Sequence, residues 1–304
     1  MLVSILMNCY NGESHLKQAL DSILGQTFSN WEVIFIDNFS TDRSAEIAKS
    51  YGDKIKIYSP PEFCNLGTAR NFGLGMCKGK YLAFLDTDDV WHSNKLAEQV
   101  AAFEADPTLA LNYTSFQCID EYNNLLSKRL VRNHQSYTRL INKYDINMQS
   151  VLLNRDIISI EDLNFDEKLS YNPDFKLFMK ICSKYKFSSL AGVHISYRIL
   201  SNSLSSQLLC RQIKENIKVI NYLTGLDSVG FENKEKLIKR KGYYYWKSYL
   251  SKSLSKEIDP GIKCFWYLGA FTYKHWVFVP MYIFFPMCLR VFLFKKLYNL
   301  KRLS

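Results

Sequence analysis

A chain of 304 residues that is 47% hydrophobic can bury a substantial core, which excludes a disordered protein and suggests one ordinary domain with a sizeable appendage or two small domains. Eight widely separated cysteines, with no Cys-x-x-Cys pair, exclude a disulfide framework and read as reduced, mostly buried thiols of a cytosolic protein. The formal charge of +10 is uneven: residues 234–304 hold fifteen Lys and Arg against Glu235, Glu257 and Asp259, a net of +12, which leaves −2 for residues 1–233.

Residues 1–8 are apolar only briefly and lack a basic leader, so they read as a first strand and not as a secretion signal. Cytoplasmic residence is the expectation. The strand ends in Asn8-Cys9-Tyr10-Asn11-Gly12, and Leu16, Ala19, Leu20, Ile23 and Leu24 follow at helical spacing. Residues 31–36 form a second buried-strand pattern that ends in Asp37-Asn38-Phe39-Ser40-Thr41-Asp42, where Ser40 or Thr41 can cap a helix over residues 45–51. Residues 54–58 alternate as a third strand. A helix over residues 68–77 then leads to Lys80-Tyr81-Leu82-Ala83-Phe84-Leu85-Asp86-Thr87-Asp88-Asp89, an apolar run ending abruptly in clustered carboxylates. A helix is expected over residues 94–104, stopped near Asp106-Pro107, and a strand over 109–116.

Strands separated by helices predict crossover units and an α/β fold with a mainly parallel sheet flanked by helices. In such sheets ligands gather at the carboxyl ends of the strands. Asn8, Asp37 and Asp86 each stand just past a different predicted strand. A capping role explains any one of them, but not their recurrence at equivalent ends. Adjacent carboxylates repel, so the acidic turn calls for a positive partner, and closely spaced hard oxygen donors suit Mg²⁺ or Mn²⁺.

Residues 118–147 read as a loop or hairpin insertion, 148–153 as a strand, and 187–199 as a late strand followed by a serine-rich loop over 200–206. Between them Asn172-Pro173-Asp174 opens a helix through Phe175, Leu177, Phe178, Ile181 and Cys182. Asp174 there either complements the helix dipole, worth ~0.5 kcal/mol, or serves as a catalytic base. Beyond Cys210 the pattern is helical, with one helix through Ile213, Ile217 and Ile220 and another over 243–254. The apolar stretch 264–294 contains only fourteen residues, with two prolines, between His275 and Arg290, short of the ~20 that span a bilayer. Its Trp266, Tyr267, Trp276 and Tyr282 beside lysines fit an anionic membrane interface or a packed helical subdomain. A nucleic-acid partner is not expected.

Taken together, Asn8-Cys9-Tyr10-Asn11, Gln26-Thr27 before Trp31-Glu32, Ile36-Asp37-Asn38-Phe39-Ser40-Thr41-Asp42, Asn65-Leu66-Gly67 with Ala69-Arg70-Asn71, and Phe84-Leu85-Asp86-Thr87-Asp88-Asp89 resemble glycosyltransferase family 2 over residues 2–205. Pro173-Asp174-Phe175 is similar to that family's Glu-Asp segment and Tyr197-Arg198 to its Tyr-Arg-x-His segment. The resemblance implies a GT-A (Rossmann-like) catalytic domain over 1–207 and a helical, membrane-associated C-terminal region over 208–304. It implies an inverting enzyme that moves a sugar from a nucleoside diphosphate sugar to a hydroxyl of a lipid-linked or surface glycan, with a divalent cation, Mn²⁺ or Mg²⁺. Position by position, Asn8, Tyr10, Asp37 and Asn38 would line the base and ribose pocket, Arg70 would approach the nucleotide, and Asp86 and Asp88 would form the Asp-x-Asp. Asp88 would bind the metal with Asp89 in support, and Asp174 would deprotonate the acceptor.

This chain departs from the family pattern at Asn38, where many members carry aspartate, at Leu200, where histidine is usual, and at Pro173, where glutamate precedes the base. The other readings are a nucleotidyltransferase, for which residues 8–12 supply no Lys or Arg, and a non-catalytic, membrane-associated scaffold that binds a nucleotide sugar.

Overall fold

The computed structural model describes residues 2–132, 136–200 and 209–254. They fall in two units, Met1–Gln207 with Gly225–Gly230 and Leu208–Thr224 with Phe231–Ser304. The first unit begins by alternating strand and helix: β1 (Val3–Cys9), α1 (Glu13–Leu24), β2 (Trp31–Asp37), α2 (Ser44–Lys49), β3 (Ile55–Tyr58), α3 (Leu66–Met76) and β4 (Tyr81–Phe84). It continues with β5 (Val90–Trp91), α4 (Lys95–Ala105), β6 (Leu111–Ile119), β7 (Leu125–Arg129), α5 (Tyr137–Asn142), a 3-10 turn at Met148–Ser150, β8 (Val151–Asn154), α6 (Pro173–Lys184) and β9 (Phe187–Arg198).

One sheet runs in the order β3-β2-β1-β4-β8-β6-β9-β5, and β7 pairs with β6. The apolar runs in β1 and β2 do not alternate with polar residues because both faces are covered, as a parallel sheet requires. Val3, Ile5 and Met7 join Leu16, Ala19, Leu20 and Ile23 of α1 in one core cluster. Leu6 and Ile36 meet α3 on the other face at Gly73, where an added Cβ would stand 2.8 Å from Ile36 Cγ1. Asn65 starts α3 as expected of a cap, its Oδ1 accepting from Thr68 N–H at 3.1 Å.

Parallel pairing holds through β3-β2-β1-β4, where each connection contains a helix. Beyond β4 the sheet becomes mixed: β8 runs antiparallel to both β4 and β6, β5 antiparallel to β9, and β6 parallel to β9. The sequence expectation of a mainly parallel sheet extrapolated the helical crossovers of the first half. The stretch 118–147, read as a loop or hairpin insertion, contributes a hairpin, β6 turning directly into β7, which needs only a short loop. The expected strand at 148–153 is shortened by the 3-10 turn, and this puts Gln149 outside the strand.

In the second unit α7 (Leu209–Thr224) packs against α8 (Phe231–Leu254). Ile213, Val219, Ile220 and Leu223 of α7 and Leu237 of α8 are buried. The serine-rich stretch 201–206 and the apolar region 264–294 lie outside the described residues, and the membrane contact expected of the latter lies there too. Among the described residues no helix is long and apolar enough to cross a membrane. Cys9, Cys64, Cys77, Cys118 and Cys182 are free thiols, and all but Cys64 are buried.

Candidate active site

Because β2, β1 and β4 are parallel neighbours, their carboxyl ends share one edge. Cys9 stands opposite Asp37 in the ladder, and Leu85 N–H donates to Leu6 C=O at 3.1 Å, so the turns after β1, β2 and β4 emerge side by side. Asn8, Asp37 and Asp86 are therefore brought together, as their recurrence at strand ends predicts.

The turns after β1 and β2 are locked to each other. Asn11 and Phe39 both adopt left-handed backbone, with φ of 53° and 63°. For a bulky residue such as Phe39 this is a strained conformation that its surroundings must hold. Asn11 N–H donates to Ser40 Oγ at 3.1 Å, and Thr41 N–H donates to Asn11 Oδ1 at 2.8 Å. Gly12 and Glu13, at the start of α1, donate to Ser44 Oγ and Asp42 Oδ2 at 2.9 and 3.0 Å. The N–H groups of Gly12 and Glu13 are thus satisfied from the segment after β2, and Ser40 and Thr41, expected to cap α2, bond the turn after β1 instead. Gly12 approaches the acidic turn so closely that a Cβ would stand 2.6 Å from Thr87 Oγ1.

Tyr10 is exposed, and its ring meets Phe63 edge-on at 5.0 Å, so two aromatic faces border the edge. Asp37 Oδ1 accepts from Ser40 N–H at 3.1 Å. Asn38 is buried and its amide brackets the Cys64 backbone: Nδ2 donates to Cys64 C=O at 2.7 Å and Oδ1 accepts from Cys64 N–H at 3.2 Å. The Nδ2 of Asn8 is buried with no partner among the described residues. A buried donor left without an acceptor carries a desolvation cost that a ligand oxygen would remove.

In the acidic turn each carboxylate has a different environment. Asp86 Oδ1 receives Arg70 Nη2 at 3.3 Å and Oδ2 receives Gln149 Nε2. Arg70 is buried, and the Phe165 ring stands 5.4 Å from its guanidinium carbon. Asn71 fixes that ring by bonding both the N–H and the C=O of Phe165 at 2.9 Å. Burial, reinforced by the Asp86 charge, pushes the Asp88 carboxyl up to about 6. Asp89 is 1% exposed, and burial with its two acidic neighbours raises it well above the usual carboxylate range. Its Oδ1 accepts from Arg198 N–H at 2.7 Å, and its Oδ2 is buried without a partner among the described residues. Among the described residues no group of three or more His, Cys, Asp or Glu is placed to hold a metal ion. The unpartnered Oδ2 of Asp89, with Asp88 beside it, nonetheless matches Mg²⁺ or Mn²⁺, which take one or two protein carboxylates and complete their shell with substrate phosphates and water.

Asp174 lies in the first turn of α6, where burial raises its carboxyl. Arg70 opposes that rise and Asp86 adds to it, so all three groups lie within electrostatic reach of one another. A carboxyl whose proton affinity is raised by burial suits proton abstraction. His194 lies elsewhere, its Nε2 2.9 Å from Glu98 Oε2, which is a structural pairing.

Sequence reasoning missed two residues here. Gln149 bonds Asp86 across 63 positions; its only signal was a polar residue inside an apolar run. Arg198 was read as part of a motif, but its contacts to the acidic turn cross 109 and 110 positions and leave no local trace.

The sequence profile described as Glycosyl transferase family 2 matches residues 4–157. The chain belongs to glycosyl transferase family 2. The match runs from β1 to β8 and contains Asn8, Tyr10, Asp37, Asn38, Arg70 and the acidic turn, whereas Asp174 and Arg198 lie beyond it. A glycosyltransferase of Rickettsia typhi (strain ATCC VR-144 / Wilmington), RT0329, is 32% identical over 212 residues, covering 66% of this chain and 63% of that protein. The Escherichia coli protein WfgD, a UDP-Glc:alpha-D-GlcNAc-diphosphoundecaprenol beta-1,3-glucosyltransferase, is 28% identical over 208 residues, 67% of this chain and 80% of WfgD. The chain thus spans less than two thirds of the Rickettsia relative. The crystal structure of S. aureus TarS 1-349 in complex with UDP-GlcNAc aligns with a TM-score of 0.69 at 18% identity, over 84% of this chain and 76% of that one. The shared architecture is the GT-A fold of family 2.

Proposed function

We propose that this chain is an inverting, metal-dependent glycosyltransferase that moves a sugar from a nucleoside diphosphate sugar to a hydroxyl of a lipid-linked or cell-surface glycan precursor. The observation that carries this reading is the gathering of Asn8, Asp37 and Asp86 at one sheet edge, with Asp174 in electrostatic reach of Asp86 and Arg70. The reaction that the E. coli relative's name states, from a UDP sugar to a diphosphoundecaprenol-linked sugar, supports both the donor class and a lipid-linked acceptor. The basic, aromatic composition of residues 234–304 supports residence at an anionic membrane surface on the cytoplasmic side.

Asn8, Tyr10, Asp37 and Asn38 face the nucleoside in this reading, with Tyr10 offering its exposed ring and Asn8 its unpartnered N–H. Asn38 acts through the Cys64 backbone, fixing the segment that carries Phe63. Arg70 orients Asp86, and Asp88 with Asp89 would hold the divalent cation. That cation, when bound, offsets the charge of the departing nucleoside diphosphate. Asp174 takes the proton from the acceptor hydroxyl as its oxygen attacks the anomeric carbon opposite the leaving group, which gives single displacement with inversion.

Asp174→Asn is the direct test. The variant should bind donor with Mn²⁺ as the parent does, by calorimetry, and lose about 10²- to 10⁴-fold in transfer. Undiminished transfer would place the base elsewhere.

A further inference from the structure

Every residue from 121 to 130 is exposed, a stretch that includes the whole of β7. It contains four large apolar side chains, Tyr122 at 74% exposure, Leu125 at 54%, Leu126 at 53% and Leu130 at 62%. Among the described residues β7 pairs only with β6 and so stands at the edge, and its exposed side chains lie on both faces. Lys128 and Arg129 lie on the strand, Arg132 lies just beyond it, and none has an ion pair among the described residues. Basic residues on an edge strand are an ordinary protection against strand-to-strand pairing. Leucines facing water on both sides of it need another explanation, since monomers rarely expose clustered apolar side chains without a use for them.

The ends of this segment are firmly held. At the turn, Arg198 Nη1 donates to the carbonyls of Asp120 and Glu121 at 3.0 and 3.3 Å, and Nη2 to Asn123 Oδ1 at 3.0 Å. Asp120 folds its carboxylate onto its own turn, accepting from Tyr122 and Asn124 N–H at 2.9 and 2.8 Å. Past the strand, Val131 N–H donates to Ser115 Oγ at 2.9 Å. The same Arg198 donates to Asp88 C=O and Asp89, so the hairpin is tied directly to the acidic turn.

We propose that β7 and its flanks are a docking surface for an anionic phospholipid membrane, with Tyr122, Leu125, Leu126 and Leu130 entering the interface and Lys128, Arg129 and Arg132 meeting headgroup phosphates. This deepens the reading of a lipid-linked acceptor and rests on it. Apolar side chains interleaved with unpaired cations match such a surface in both polarity and charge. Through Arg198 the docked hairpin holds the acidic turn at a fixed position relative to the lipid surface.

The full chain is tested on phosphatidylglycerol-containing vesicles against phosphatidylcholine vesicles. Replacing two cations, Lys128→Gln with Arg129→Gln, should lower the partition coefficient to the anionic vesicles about thirtyfold, from ~1 kcal/mol per basic residue near such a surface. Leu126→Trp should gain fluorescence that brominated acyl chains quench, beyond the parent's quenching. Both changes are at exposed positions, so the melting temperature should hold. Unchanged partition, or no added quenching, overturns the proposal. So does a Leu125→Glu, Leu126→Glu variant that turns a dimer into a monomer in sedimentation while binding vesicles normally, because the strand would then pair two copies. Donor hydrolysis without vesicles separates this outcome from the glycosyltransferase reading: turnover without quenching refutes docking alone, and quenching without turnover refutes the transfer reading alone.

Discussion

Arg198 donates its backbone N–H to Asp89 Oδ1 at 2.7 Å while its Nε–H reaches the Asp88 carbonyl at 2.8 Å. Its other guanidinium N–H groups go to Asp120 C=O, Glu121 C=O, Gln18 Oε1 and Asn123 Oδ1, so every donor of a side chain only 1% exposed is satisfied. The acidic turn, the hairpin and α1 are therefore joined through one residue, which reaches the Asp89 carboxyl through its backbone N–H and the Asp88 carbonyl through its guanidinium.

Truncating the guanidinium leaves the carbonyls of Asp88, Asp120 and Glu121 without their donor. Arg198→Ala should cost about 3 kcal/mol or more in urea unfolding, because several charge-assisted hydrogen bonds of about 1.5–3 kcal/mol each are lost together. Arg198→Lys keeps the charge but not the planar fork, and should recover only part of the loss. A cost below about 1 kcal/mol for the alanine variant would mean that the hub adds little to the fold.

Gln149 holds Asp86 from the side opposite Arg70. Gln149→Ala removes a hydrogen bond to a charged group, worth about 1.5–3 kcal/mol. Donor affinity with Mn²⁺ should fall about tenfold or more, and the melting temperature should fall as well because Gln149 is buried. Normal affinity would show that Arg70 alone orients Asp86.

Asp88 makes stability depend on pH. Its carboxyl is raised on folding from 3.8 to about 6, so the folded chain binds the proton more tightly than the unfolded one. The resulting stability is present at low pH and is lost as pH rises through that window, by up to about 3 kcal/mol. In chelator, Asp88→Asn should therefore raise the melting temperature at about pH 7.5 and do so much less at about pH 4, where the parent is already largely protonated. Mn²⁺ should stabilise the parent at the higher pH and leave the variant unmoved. Equal gains at both pH values would contradict the burial of Asp88.

What the sequence displayed was whatever repeats locally. The buried runs of β1, β2 and β4 are continuous because both sheet faces are covered, and each run gives way to polar residues within two positions of its strand end, so Asn8, Asp37 and Asp86 are legible from the residue pattern alone. What it concealed depends on pairing distant in sequence. β8 enters antiparallel between β4 and β6, a pairing that nothing local announces, and the bonds of Gln149 and Arg198 to the acidic turn have no spacing rule to reveal them.

Asn38 shows how a departure from the family pattern acquires a structural reason. An aspartate there could accept from Cys64 N–H as Oδ1 does now, at 3.2 Å, but the atom in the place of Nδ2 would be an oxygen facing the Cys64 carbonyl at 2.7 Å. Two acceptors at that distance repel, so the amide is what permits the segment to close on both sides. Asn38→Asp should cost about 1–3 kcal/mol, the price of an opposed buried acceptor pair, and should free the segment next to Phe63. Hydrogen exchange at the Cys64 amide is the specific readout, because its bond to residue 38 should weaken even if the global melting temperature moves little. Faster exchange there with weakened donor binding would tie the Asn38 clamp to the nucleoside side of the site, whereas unchanged exchange would show that the carboxylate is accommodated and that Asn38 is interchangeable with aspartate.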